Sequence, residues 1–184
     1  MANELAVRAV DEIPGMFIVN LVLHGDERGW FKESYQRAKM EALGLPHFEA
    51  VQNNVSYNAE KGVTRGLHAE PWDKYVSMAY GKSFGAWVDL RKGDNYGKVF
   101  THEISPEVAL FIPKGVANGY QTLVENATYT YLVTDHWSAD GQYVSIDLFD
   151  PELAIEWPIP KEQAIFSEKD THNPAFSSLS PMEF

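Results

Sequence analysis

The hydrophobic positions of the chain recur mainly at every second residue, in short runs separated by glycine, proline, asparagine and aspartate. That spacing puts apolar side chains on one face of an extended segment and is typical of β-strands. Residues 36–44 differ, because their apolar side chains are spaced as in a short helix that stops at Gly44, with Pro46 behind it. The predicted strands lie within residues 16–24, 51–58, 74–80, 83–90, 99–105, 109–113, 120–124, 127–133 and 143–149.

Many short strands at close spacing predict a sandwich or a barrel. At 184 residues the double-sheet jelly roll is the version that encloses a small-molecule cavity, so the predicted fold is an all-β jelly roll with a few short helices. An apolar content of 45% suits one well-cored domain over residues 1–184 better than two. Residues 150–184 are richer in proline and polar side chains, and we expect them to wrap the domain as a C-terminal tail.

The charge and the N-terminus limit the classes of partner. A formal net charge of −11 without clustered Lys and Arg argues against broad nucleic-acid binding. No apolar run approaches the ~18 residues of a membrane span, so no membrane partner is expected. The N-terminus lacks the basic-then-apolar order of a signal peptide, and the chain is expected to be cytoplasmic.

The metal ligands that the chain can offer are restricted, because it has no cysteine and only histidine and carboxylates remain. Metal-binding jelly rolls of the cupin kind offer a His-x-His pair, a nearby Glu, and a later His after a Pro-x-Gly turn. Here Ala69 and Glu70 follow His68, and the turn predicted over residues 112–119 carries Asn118 at the expected ligand position. The pattern favours a site without a metal, and the metal-dependent alternative would use His68, Glu70 and His102.

Segment 65–75, RGLHAEPWDKY, therefore has three interpretations: a metal site, a catalytic base or a turn. General acid–base chemistry needs a base near neutral pKa, a group that orients it and a proton donor. His68 is the natural base. Arg65 and Lys74 would supply positive charge for an anionic substrate or a developing oxyanion.

Two other segments offer candidate groups. The period of a strand puts Tyr129 and Tyr131 on one face, where either could donate a proton or pack in the core. Lys169 and Asp170 lie in the tail, where such a pair is ordinarily solvated.

Eight segments, in this order, resemble the dTDP-4-dehydrorhamnose 3,5-epimerase family, metal-free cupin-like enzymes of dTDP-L-rhamnose synthesis. The similarity runs over nearly the whole chain. The segments are DERGWFKE (26–33), VQNNVS (51–56), RGLHAEPWDKY (65–75), WVDLRKGDNYG (87–97), FIPKGVANGYQTL (111–123), YTYLVTD (129–135), FDPELAIEWP (149–158) and SEKD (167–170).

The resemblance implies epimerisation at C3 and C5 of dTDP-4-dehydro-6-deoxy-D-glucose, giving dTDP-4-dehydro-L-rhamnose without a cofactor. It implies that His68 removes the proton and that Asp170 orients the imidazole. Lys74 would stabilise the enolate, and Tyr131 rather than Tyr129 would return a proton. An epimerase of a single carbon, or of another deoxysugar, would share these residues.

The resemblance also implies how the dTDP-sugar substrate is held. The substrate-binding residues it assigns within one subunit are Gln52, Asn53, Asn54, Arg65 and Lys169, and Asn118 is a further binding candidate as a hydrogen-bonding side chain. Arg65 is apt for a diphosphate, because a guanidinium binds phosphate oxygens in pairs. Family members are homodimers in which an N-terminal strand crosses to the partner, so Arg28, Phe31 and Glu33 would line the neighbouring subunit's site.

Two departures from the family pattern affect the site. Many members have a histidine where this chain has Asn118, and many have about four more residues between the catalytic histidine and the lysine. The first departure removes a potential second base but leaves a hydrogen-bonding side chain. The second reshapes the sugar-phosphate side of the pocket and leaves Glu70 without an assigned role. A non-catalytic module that binds nucleotide sugars is the remaining alternative.

Overall fold

The computed structural model describes residues 4–184, which form two antiparallel β-sheets packed face to face. The six-stranded sheet has the order β1 (Ala6–Ala9), β2 (Phe17–Asn20), β10 (Val108–Ile112), β7 (Lys74–Tyr80), β12 (Ala127–Val133) and β5 (Gln52–Asn58). The five-stranded sheet has the order β13 (Val144–Ser145), β6 (Thr64–Ala69), β11 (Val116–Thr122), β8 (Ser83–Asp89) and β9 (Val99–Ile104). This architecture confirms the predicted all-β jelly roll.

The remaining elements are short. A separate hairpin consists of β3 (His24–Asp26) and β4 (Gly29–Phe31). Helix α1 (Arg37–Ala42) begins at Gln36, whose side chain accepts a hydrogen bond from the Lys39 amide. Three 3₁₀ helices cover Pro151–Leu153, Glu168–His172 and Phe176–Ser178. Within residues 4–184, no helix is long and apolar enough to span a membrane.

Successive side chains of a strand point to opposite faces of its sheet, and the buried apolar side chains accordingly form three clusters. Val76, Leu110 and Tyr129 of one sheet meet Trp87 of the other in the core between the sheets. A second cluster packs α1 and the segment after it against the outer face of the six-stranded sheet. In the third cluster, aromatic side chains of the C-terminal tail cover the outer face of the five-stranded sheet. The tail therefore belongs to the packed body of the domain.

Backbone hydrogen bonds anchor the tail on both sides of the short helix Glu168–His172. Upstream, Ile165 forms a parallel bridge in which the Thr64 amide donates to the Ile165 carbonyl at 2.7 Å. Downstream, the buried carboxylate of Asp150 accepts a hydrogen bond from the Phe176 amide. The position of the helix is thus fixed by contacts outside it.

Two predicted elements differ from the structure. The turn expected over residues 112–119 ends at Gly115, which has a φ of +78°, and β11 starts at Val116. Asn118 therefore lies within a strand, because pairing with β8 begins at Val116. The strand predicted over 143–149 is reduced to Val144–Ser145, since Asp147 donates instead to Pro174 of the tail.

Strands β6 and β11 approach each other closely around Gly66. Gly66 has a φ of +124°, and a Cβ there would lie 2.5 Å from Gly119 Cα and 2.8 Å from Asn118 O. The pairing register shifts at this point and sets His68 opposite Asn118. Any side chain at position 66 would push these two strands apart.

We expect Gly66→Ala to lower the free energy of unfolding by about 2 kcal/mol more than Gly93→Ala does, because it adds a steric clash to the backbone strain. Gly93 is the matched control, with a φ of +147° and no atom within 4 Å of an added Cβ. Urea unfolding at a fixed protein concentration measures both variants. Equal losses of stability would contradict the close approach of the strands.

Candidate active site

A cavity of about 550 Å³ lies between the two sheets, with part of the tail at its edge. Strands β6 and β11 line it from one side, strands β5, β7 and β12 from the other, and residues 165–170 of the tail complete it. We call it the main cavity. The predicted site residues that line it are Arg65, His68, Lys74, Asn118, Tyr131, Lys169 and Asp170.

His68 and Asp170 form a pair across the edge of the cavity. His68 lies on β6 and is half-buried, whereas Asp170 lies in the short helix Glu168–His172 and is nearly inaccessible. His68 Nε2 is 3.5 Å from Asp170 Oδ1. A carboxylate at one ring nitrogen keeps the proton there and leaves the other nitrogen as an acceptor.

Ser167 fixes the carboxylate of Asp170. The Ser167 hydroxyl donates to Asp170 Oδ2 at 2.8 Å and accepts from the Asp170 amide at 3.2 Å. One carboxylate oxygen is thereby occupied, and Oδ1 is directed to the histidine. Sequence reasoning missed Ser167, although the spacing Ser-x-x-Asp is a recognisable helix-capping signal.

The surroundings of His68 favour its neutral form. Burial lowers the pKa of the imidazole below its usual value, and the positive charge of Lys74 acts in the same direction. The carboxylates of Glu70 and Asp170 oppose this shift without cancelling it. At neutral pH the imidazole is therefore available to accept a proton.

Lys74 presents a buried ammonium group to the cavity. It is the first residue of β7, and its side chain is only 6% exposed. The ammonium is ion-paired with Glu70, which also lines the cavity. Apart from the metal-dependent alternative, sequence reasoning gave Glu70 no role, because nothing in the local pattern shows that its side chain turns inward.

The two tyrosines of β12 both line the cavity, as their spacing predicted, but their environments differ. Tyr129 is fully buried and stacks on Tyr120, with ring centroids 4.2 Å apart. Tyr131 is half-buried, and burial followed by the negative charge of Glu70 raises the pKa of its phenol. Tyr131 is therefore protonated at neutral pH and accessible from the cavity, whereas Tyr129 is part of the core.

The amide of Asn118 has a fixed orientation. Its Oδ1 accepts hydrogen bonds from Trp87 Nε1 at 2.9 Å and from the Tyr129 hydroxyl at 3.3 Å. Two donors on the oxygen leave the NH₂ group as the part of the side chain that can donate to a ligand.

Two basic side chains lie near the cavity opening. Arg65 Nε donates to Asn58 Oδ1 at 2.9 Å, which leaves the terminal nitrogens of the guanidinium for an anion. Lys169 is exposed on the tail side. Both are suited to binding phosphate oxygens.

The other predicted binding residues do not line the main cavity within this one chain. Phe31 and Asn53 line a second cavity of about 560 Å³ on the opposite face of the six-stranded sheet, where Tyr131 also lies. Phe31 belongs to the hairpin β3–β4 and is 64% exposed.

Five of these residues have polar partners of their own, and for Asn53 the partner is Thr130, whose hydroxyl donates to Asn53 Oδ1 at 3.1 Å. Arg28 is paired with Asp26, and Glu33 with Lys39. Gln52 donates to Asn54 Oδ1 at 2.8 Å and accepts from the ring of His136 at 3.0 Å.

No group of three or more His, Cys, Asp or Glu side chains in the described chain is placed to hold a metal ion. His102, which the metal-dependent alternative would need, lies on β9 and stacks on Phe100 with centroids 6.0 Å apart. It does not line the main cavity. The structure therefore does not bring His68, Glu70 and His102 together.

Comparison with known proteins places the chain in a family. The family model described as dTDP-4-dehydrorhamnose 3,5-epimerase matches residues 11–178. A "Protein RmlC homolog" of Streptococcus pyogenes serotype M6 is 45% identical, covering 97% of this chain and 93% of that protein. A dTDP-4-dehydrorhamnose 3,5-epimerase of Pseudomonas aeruginosa is 38% identical, covering 90% and 93%.

A solved structure gives the same result at the level of the fold. The structure of RmlC from Streptococcus suis in complex with dTDP-D-xylose superposes with a TM-score of 0.94 at 44% identity. The match covers 99% of this chain and 96% of that one. These findings confirm the resemblance seen in the sequence: the chain belongs to the dTDP-4-dehydrorhamnose 3,5-epimerase family, whose reaction is an isomerisation.

Proposed function

We propose that the protein converts dTDP-4-dehydro-6-deoxy-D-glucose to dTDP-4-dehydro-L-rhamnose by epimerisation at C3 and C5. The observation that carries this proposal is the placement of an acid and a base on opposite walls of one cavity. His68 projects from the five-stranded sheet and Tyr131 from the six-stranded sheet. Inversion of a carbon requires proton removal on one face and proton delivery on the other.

Proton removal falls to His68. The C4 ketone of the substrate acidifies the hydrogens at C3 and C5, and the neutral imidazole takes one of them. Asp170 stabilises the imidazolium that forms, because its carboxylate lies 3.5 Å from Nε2. The electron pair of the broken C–H bond moves toward the C4 oxygen and gives an enolate.

Lys74 stabilises this enolate. A fixed ammonium in a buried site acts on a developing oxyanion far more strongly than solvent does. Lys74 meets this requirement, because its side chain is almost fully buried and lines the same cavity.

Tyr131 completes the inversion by giving its phenolic proton to the carbon from the opposite face. The phenolate then regains a proton and the imidazolium loses one to solvent, so the proton count balances over one turnover. A repeat of these steps at the second carbon needs no further group.

The outer parts of the site are suited to the nucleotide. Arg65 and Lys169 supply positive charge for the diphosphate, and Asn118 supplies a donor. The Streptococcus suis relative was solved with dTDP-D-xylose bound, which supports a dTDP-sugar as the ligand class.

The cytoplasmic location expected from the sequence stays a prediction.

We expect the wild-type protein in D₂O to introduce deuterium at both C3 and C5 of the product, and His68→Ala to introduce it at neither. The reason is that every proton abstraction passes through the imidazole. Binding of dTDP by His68→Ala should stay within about tenfold of wild type, since the base acts in the transition state. NMR of the product and calorimetric titration with dTDP measure the two effects.

His47→Ala is the control for this experiment, because His47 is exposed, pairs with Glu41 and does not line the main cavity. Deuterium at one carbon in the wild type would identify an epimerase of a single carbon. Binding of dTDP-sugar without any exchange would identify a non-catalytic module. Near-full activity of His68→Ala would refute the mechanism.

The lowered pKa of His68 predicts where activity is lost in acid. A base whose pKa lies below the usual histidine value of about 6.5 stays neutral to lower pH, so activity persists there. We expect the acidic limb of the kcat/KM profile to have its midpoint below pH 6.5. A midpoint clearly above that pH would show that the neighbouring carboxylates, rather than burial, determine the direction of the pKa shift of His68.

We propose further that the protein is a homodimer and that hairpin β3–β4 reaches the partner's site. The hairpin is exposed along its whole length and carries Trp30 and Phe31. Strand β5 is an edge of the six-stranded sheet and exposes Val55 and Tyr57. Oligomers commonly cover exposed apolar hairpins, and they commonly cover apolar edge strands whose outer side has no partner strand.

Mixing two inactive variants tests this arrangement. One carries His68→Ala, and the other carries Arg28→Ala with Phe31→Ala in the hairpin. If the hairpin acts on the partner, a mixed dimer has one complete site, and subunit exchange should restore roughly a quarter of wild-type activity. Absence of any recovery, with subunit exchange verified by native mass spectrometry, would show that the hairpin serves its own subunit.

A further inference from the structure

We propose that Glu70 is a positioning residue that holds the ammonium group of Lys74 at the point where the enolate oxygen forms. This inference rests on the proposed function, because it assigns a role within the same site. Glu70 and Lys74 stand at the two ends of the turn between β6 and β7, and their side chains meet in an ion pair inside the cavity.

The turn that carries the pair is held in place by the surrounding backbone. The Gly115 amide donates to the Glu70 carbonyl at 3.1 Å, and the Thr134 amide donates to the Asp73 carbonyl at 3.2 Å. The Lys114 amide also donates to the Asp73 carboxylate at 2.8 Å. The ends of the turn are therefore fixed by residues that flank strands β11 and β12, and the fold sets the positions of the two residues of the ion pair.

Because Lys74 is buried, its ammonium group needs the carboxylate of Glu70 as a counter-ion. The side chains of Lys74 and Glu70 are 6% and 19% exposed. A lysine side chain has four flexible methylene groups, and an unpaired ammonium in such a place moves toward water or loses its proton. Within the described residues, Glu70 is the carboxylate that pairs with Lys74.

The pairing leaves the ammonium with capacity for the substrate. An ammonium has three N–H donors, so one directed to Glu70 leaves two for the enolate oxygen. A carboxylate bound on one side thus orients the other donors without saturating the group.

Glu70 also acts on the base and on the acid. Its negative charge raises the pKa of both His68 and Tyr131. The other titratable groups that act on the pKa of His68 are Asp170 and Lys74, and Tyr120 and Arg65 act on the pKa of Tyr131. Removing the charge of Glu70 should therefore move the titration of His68 further down, which gives a readout that a merely structural role would not change.

Glu70→Gln is the principal variant, because it keeps the shape of the side chain and removes its charge. We expect kcat to fall at least about tenfold, with KM within about threefold of wild type. The acidic limb of kcat/KM should move to lower pH. Glu70→Asp, which restores the carboxylate on a shorter side chain, should recover part of kcat.

A second measurement reports on Lys74 independently of activity. Acetylation of the protein by acetic anhydride, quantified by peptide mass spectrometry, should label Lys74 severalfold faster in Glu70→Gln than in wild type. Labelling of Lys82 should be the same in both proteins. Glu103→Gln is the matched control, because Glu103 forms a close but exposed ion pair with Lys82. This variant should leave kcat unchanged.

Three outcomes would overturn the proposal. The first is unchanged kcat together with unchanged labelling of Lys74 in Glu70→Gln. The second is a raised KM with normal kcat, which would make Glu70 a substrate-binding residue. The third is loss of deuterium exchange at only one carbon, which would make it a proton-transfer group. Absence of exchange in the wild type would instead defeat the proposed function, and the labelling experiment would still test the contact between Glu70 and Lys74.

Discussion

The close approach of β6 and β11 is the constraint on which the rest of the site depends. Glycine at positions 66 and 119 lets the two backbones come together, and the shift of register there sets His68 opposite Asn118. Asn118 in turn accepts hydrogen bonds from Trp87 of the same sheet and from Tyr129 of the facing sheet. A single backbone contact therefore links His68, the proposed base, to both walls of the cavity, and the distance from His68 to Tyr131, the proposed acid, is set by sheet packing.

The cavity also places charges where burial makes them costly. Lys74 and Asp170 are both nearly inaccessible; Lys74 is ion-paired with Glu70, and Asp170 accepts from Ser167 and pairs with His68. Such buried charges seldom stabilise a fold better than well-packed apolar groups would. Their place in the cavity fits the proposed reaction instead, since Asp170 lies 3.5 Å from His68 Nε2 and Lys74 lines the same cavity. Burial, for its part, keeps the imidazole of His68 neutral and the phenol of Tyr131 protonated at neutral pH. The proposed base and the proposed acid are therefore in their reactive protonation states at the same pH.

The fold could largely be predicted from the sequence, because it rests on the two-residue period of the strands. The predictions over 74–80 and 127–133 coincide with β7 and β12, which are paired on both sides in the six-stranded sheet. The errors arose where a partner strand, rather than local pattern, decides the conformation. Asn118 was expected in a turn, but pairing with β8 begins at Val116. The strand predicted over 143–149 ends early because the Asp147 amide donates to Pro174 of the tail instead of to a partner strand.

The site could be predicted only in part, because some of its residues are brought together by distant segments of the chain. Arg65, His68 and Lys74 lie in one segment and could be grouped by spacing, whereas Asp170 reaches His68 only because the tail is anchored at Ile165 and Phe176. The direction of the Glu70 side chain depends on a turn fixed by other strands, so local sequence could not show it. The same tail segment carries Lys169 and packs Phe166 against the five-stranded sheet. Undocking this segment would remove the Asp170 carboxylate from His68, a cation from the cavity opening and an apolar contact in one step. The packing free energy of the tail is therefore coupled directly to the role proposed for His68.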